Sequence, residues 1–161
     1  MLDVILDSWD RNNRILVNLL RLIPEDLLDM PMAEGSHTVR GLFLHIHGSR
    51  LFFVSEDAPE YSRPFAWEEI RGERDREKIA AMLDESAALV REAVRGRVES
   101  GKPMNVRYDH PILMIQHLLW HDAYHHGAIK LKLKLAGRAL DDEEEAGPVT
   151  WDLWMDKSVS S

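Results

Sequence analysis

The 161 residues contain no cysteine, which removes disulfides, thiolate metal sites and a cysteine nucleophile together, so any metal must be held by nitrogen or oxygen. Basic side chains are in the minority: 20 Lys and Arg stand against 28 Asp and Glu, a net charge of -8. Such a field repels phosphate backbones and anionic lipid surfaces, so neither nucleic acid nor membrane is an expected partner. No run approaches the roughly 20 apolar residues that span a bilayer. The opening MLDVILDSWDRNN carries acidic residues and no early basic cluster, unlike a secretory signal or a transit peptide, and a cytoplasmic location is the expectation. HExxH, a Gly-rich phosphate loop and a nucleophile-elbow serine are missing too, as are internal repeats and low-complexity segments.

What is present is helical periodicity. Hydrophobic residues make up 45% of the chain, enough for one globular domain over residues 1–161. Ile5, Trp9, Leu16, Leu20 and Ile23 share a stripe with Asn12 over a first helix at about 2–23, which Pro24 ends because proline cannot donate the next backbone hydrogen bond. Ser36 or Thr38 can cap a second helix at about 37–56. A third, at about 73–95, turns Ile79, Met82, Leu83, Ala87, Val90 and Val94 inward, and a fourth, at about 111–136, starts on Pro111 and stops at Gly137. The connection of about 57–72 between the second and third is longer than antiparallel neighbours need. The expectation is therefore an all-α four-helix bundle with one long connection, followed by an acidic loop, DDEEEAG, and a tail. In that tail Trp151 and Trp154 are expected to pack on the bundle or on a second subunit.

The fourth helix contains HLLWHDAYHHG, residues 117–127, with four histidines. At about 100° per residue, His117, His121 and His125 fall within about 40° of one apolar arc, whereas His126 is turned away by about 140° and is expected at the surface. Imidazoles at i and i+4 can reach one cation at about 2.1 Å. The pairs His117/His121 and His121/His125 are equally spaced, so spacing does not choose between them. A ligand from another helix is wanted, and TVRGLFLHIHGSRLFF offers His45 or His47. The wheel favours His45, with Ser49 one turn later leaving room above an ion, and turns His47 towards solvent. Ordinary readings stand beside these: a hydrogen-bonded core histidine for His45, and for Tyr124, beside His125, either an acid, a group orienting the site, or a core tyrosine. Glu34 to His37 spells ExxH, but in a turn-rich connector without a second copy; the spacing of His37 and His110 implies no site.

TVRGLFLHIHGSR and HDAYHHGAIK together resemble the second-helix and fourth-helix patterns of the DinB-like (YfiT-like) superfamily of bacterial metalloenzymes, over about residues 2–136. The resemblance implies that His45, His121 and His125 are the three ligands of a divalent ion and resolves the choice against His117 and His47. It also implies the long connection and a homodimer. Ala128 stands where that pattern often has Gln, which leaves the three nitrogens intact. Three imidazoles with open coordination positions make a catalytic arrangement, with zinc or nickel equally suited to the donors. The superfamily's link to low-molecular-weight thiols implies a thiol S-transferase or isomerase acting on a small-molecule substrate, with a metal-dependent hydrolase as the other enzymatic reading. The rival is a non-catalytic, stress-related bundle that binds metal or a small ligand.

Overall fold

A computed structural model describes residues 1–146 and 151–155. In chain order the helices are α1 (Leu2–Leu22), α2 (Glu25–Leu28), α3 (Val39–Asp57), α4 (Trp67–Gly72), α5 (Arg76–Ser100), α6 (Pro111–Leu135), α7 (Asp142–Ala146) and α8 (Trp151–Met155), with a 3-10 turn at Pro59–Tyr61. No β-strand occurs among the described residues; an isolated bridge joins Pro31 to Thr38. None of the helices is long and apolar enough to cross a membrane.

Local chemistry sets the long helices' limits. Ile23, ahead of Pro24, is extended, as a residue before proline must be, and α1 stops there. Thr38 caps α3 by accepting from the Gly41 amide at 3.0 Å, and Asp75 caps α5 by accepting from Lys78 at 2.9 Å. Pro111 opens α6, and Gly137, at φ 79°, follows its end in the left-handed region.

Side-chain pairs give the directions. Asp3 meets Arg95, Trp9 donates to the Ala87 carbonyl and Arg21 meets Glu77, so α1 and α5 run antiparallel. His47 meets the Met82 carbonyl and Arg50 the Leu83 carbonyl and Ser86, so α3 and α5 run parallel. Parallel neighbours need a crossover, which residues 58–75 supply together with α4.

Two apolar clusters fill the interior. One holds Leu16 to Leu28 of the chain's start, Phe43, Ile46, Ile79, Leu83, Ile129 and Leu133. The other holds Leu6, Trp9, Val54, Val90, Val94, Met114 and Leu118. Between them on each long helix sits a buried polar residue: Asn13, Arg50, Ser86 and Asp122.

Several expectations are corrected. DDEEEAG is partly helical, because the Asp141 carboxylate caps α7 by accepting from the Glu144 amide at 2.8 Å. α5 starts after and ends well beyond the expected 73–95, since Asp75 caps it and Gly101 stops it. Helix α8 lies against α1, where Arg11 donates to the Leu153 carbonyl, yet Trp154 remains 44% exposed. The Trp151 side chain lies outside the described residues.

Candidate metal centre

His121 and His125 stand one turn apart on α6, and His45 faces them from α3. Their Nε2 atoms approach at 3.3 Å (His121 to His45) and 3.2 Å (His125 to His121), and the three nitrogens lie within 4.8 Å of one another. Donors about 2.1 Å from a shared tetrahedral ion are about 3.4 Å apart, so these spacings fit one cation. The donor set fits as well: three imidazoles, with no fourth His, Asp or Glu joining the group among the described residues. All three rings are half-buried, leaving one side of the cluster open to solvent.

Burial pushes the rings of His45 and His125 down to about 4, with His121 adding to both and His37 and Arg71 adding at His45. Both are neutral near pH 7, as a ligating imidazole must be. Ser49 Oγ lies 3.5 Å from His45 Nε2, one turn along the same face.

Asp122 is the functional residue that sequence reasoning missed. It is fully buried and its Oδ2 accepts from Arg50 Nη2 at 2.7 Å and Nε at 3.3 Å and from Asn12 Nδ2 at 3.1 Å. Its Oδ1 stands 3.4 Å from His121 Nδ1, the nitrogen that must carry the proton if Nε2 is to offer its lone pair. Arg50 in turn donates to Asn13 Oδ1 at 2.7 Å and lies 4.7 Å above the Trp9 ring. The polar layer between the apolar clusters thus fixes the middle histidine. The signal for it was a pair of opposite charges, one on each histidine-bearing helix.

Other expected residues are placed differently. His47 is fully buried, not solvent-facing: its Nδ1–H donates to the Met82 carbonyl at 2.7 Å because α5 runs alongside that face of α3. His126 is half-buried with Nε2 shielded from solvent, and burial pushes its ring down to about 4; the stretch around Lys130 and Glu145 covers what the wheel had assigned to the surface. Tyr124 is 65% exposed, so it is not a core tyrosine; its ring lies edge-on to His125 at 5.1 Å between centroids and stacks on Trp120 at 6.4 Å. His117 stays outside the group; its Nδ1 pairs with the Tyr108 hydroxyl at 2.7 Å. His110 caps α6. His37, set aside in the sequence, stacks on His45 at 5.4 Å, because the Pro31–Thr38 bridge folds its loop back over the start of α3.

The model of the DinB family matches residues 1–143. No curated protein and no solved structure matches the chain.

Proposed function

The chain belongs to the DinB family, and from that premise we propose that His45, His121 and His125 hold one divalent ion and that the protein is a metal-dependent enzyme acting on a small molecule. The convergence of three imidazole nitrogens from two helices, with an open side and no fourth protein donor among the described residues, carries the reading. Structural zinc sites fill all four positions with protein; this arrangement leaves room for water or substrate. Zinc and nickel both suit the donors. The bound ion would lower the pKa of a coordinated water or low-molecular-weight thiol, or polarise a carbonyl. The reaction class that follows is transfer to, or isomerisation with, such a thiol, and hydrolysis where water takes the thiol's place.

The chain's own residues prepare that chemistry. His45 and His125 are held neutral by burial, Asp122 keeps the His121 proton on Nδ1, and the Ser49 hydroxyl stands 3.5 Å from His45 Nε2. We also propose a homodimer. Leu113, Trp120, Tyr124, Leu131 and Leu135 recur at helical spacing along the outer face of α6, all of them exposed, and a second copy of the chain would cover that stripe.

The test is direct. Untagged protein should bind zinc or nickel one-to-one; His45→Ala, His121→Ala and His125→Ala should each abolish it, while His117→Ala and His126→Ala should retain it. Equal loss in all five variants would contradict the ligand set. Thiol-conjugation and ester-hydrolysis assays with and without chelator then separate the enzyme from a binding bundle: one-to-one metal with no chelator-sensitive turnover overturns the catalytic half.

A further inference from the structure

A cavity of about 460 Å³ opens beside His45, lined by Leu44, Trp67, Arg71, Arg74 and His37 as well as His45 itself. Its charge is the reverse of the protein's. No carboxylate lines it, in a chain with 28 acidic residues. Of the arginines, Arg14, Arg71 and Arg74 are the ones without an ion pair among the described residues; each of the rest has a carboxylate partner, at 2.5–3.1 Å in every case. Two of those three arginines line this one pocket.

Both are set in place by the crossover. Trp67 opens α4 and lies so close to α3 that a Cβ at Gly48 would sit 2.1 Å from its ring; only glycine admits this contact. One turn on, the Arg71 guanidinium packs 5.4 Å over the same ring, a stacking that leaves its N–H fork free at the edge. Arg40, nearly fully buried and clamped by Asp29 at 2.8 Å and Glu25 at 2.7 Å, donates to the Arg74 carbonyl and fixes the backbone there. The pocket therefore offers guanidinium forks, an indole face and a leucine wall next to the histidine cluster.

We propose that this pocket binds the oxyanion of a small organic substrate, a carboxylate or phosphate on an apolar body, with Arg71 and Arg74 as its recognition residues. Planar guanidinium groups pair with such oxyanions through two parallel hydrogen bonds, and a neutral isostere leaves those donors unmatched. The inference rests on reading the three histidines as the reacting centre: the anion held at α4 would direct the rest of the substrate towards His45.

The experiment uses the full chain, first in chelator and then reloaded with zinc, titrated by calorimetry or ligand-observed NMR with phenylacetate, phenyl phosphate and neutral phenylacetamide. An anion should bind at least tenfold more tightly than the amide, with or without zinc. Arg71→Gln/Arg74→Gln should lose at least tenfold of that affinity, the double lysine variant should keep part of it, and Arg14→Gln should keep all of it. Preference for phenylacetate names a carboxylate and preference for phenyl phosphate a phosphate; either upholds the subsite. Gly48→Ala, which displaces Trp67, should lose anion affinity while zinc binding persists. Equal binding of amide and anion, no binding of either anion, loss only on chelation with Arg71→Gln/Arg74→Gln unaffected, or equal loss in Arg14→Gln would each overturn it. A protein that holds no zinc yet keeps the arginine-dependent preference overturns the metal reading and upholds the subsite.

Discussion

Asp122→Asn is the sharpest probe of how the polar layer supports the histidines. Asp122 and Arg50 are both fully buried and paired at 2.7 Å. Removing one charge of a buried pair strands the other and costs about 3–5 kcal/mol. Arg50 keeps its bonds to Asn13 and the Leu83 carbonyl and its place over Trp9, so the lower end, about 3 kcal/mol, is the expected loss. Arg50→Met with Asp122→Leu removes both charges. What remains unpaired is Asn13 Oδ1, buried, together with Asn12 Nδ2 and His121 Nδ1, both on half-buried residues that water can reach; the double variant should therefore lose only about 1–2 kcal/mol. Urea unfolding followed by far-UV circular dichroism, in chelator so that metal linkage does not enter, reads both values. Zinc affinity reads the second consequence: with no carboxylate at His121 Nδ1, both variants should bind about 10–100-fold more weakly, although one is nearly as stable as the parent. A cost under about 1 kcal/mol for Asp122→Asn, or a double variant less stable than the single, would refute the reasoning.

His47 makes stability depend on pH. Burial lowers its ring from 6.5 to about 4, so the unfolded chain takes up the proton first; its contribution is complete above about 6.5 and is lost as pH falls towards 4, on the order of 3 kcal/mol in all. Chelated wild type should lose that much more than His47→Asn across the window, and parallel pH profiles would contradict the burial argument. On the outer face of α6, Trp120 is 71% exposed; Trp120→Lys should convert a dimer to a monomer in sedimentation equilibrium with metal binding unchanged, and an unaltered mass would place any dimer elsewhere.

The helical class, a hydroxyl cap at Ser36 or Thr38 for α3 and the start of α6 at Pro111 were legible in the sequence because each has a local cause: periodicity, a capping hydroxyl, a proline at the first helical position; the structure selects Thr38. The wheel likewise set His45, His121 and His125 on faces that converge in the structure, since i to i+4 geometry needs no knowledge of the neighbours. It failed for His47 and His126, whose surroundings depend on which element lies alongside. His47 is buried by α5, and Lys130 with Glu145 of α7 stands beside His126. His37 and Arg71 belong to connections, where no period exists to read, and they reach the pocket only through the Pro31–Thr38 bridge and the seating of Trp67 on Gly48.

Helix α6 shows why those failures cluster. Its inward face, Met114, Ile115, Leu118, Ile129 and Leu133, is core; its outward face is the apolar stripe from Leu113 to Leu135; the histidines occupy the arc between. A helix apolar on two sides has no polar face to orient it, so sequence periodicity alone cannot say which side meets the bundle. Asp122 resolves that ambiguity. A buried carboxylate is tolerated only where a charge meets it, Arg50 meets it from α3, and that single pairing fixes the rotation of α6 which brings His121 and His125 to His45. The pair that costs most to bury is thus also the pair that gives α6 its register, which is why the site lies at the break between the two apolar clusters and not within either.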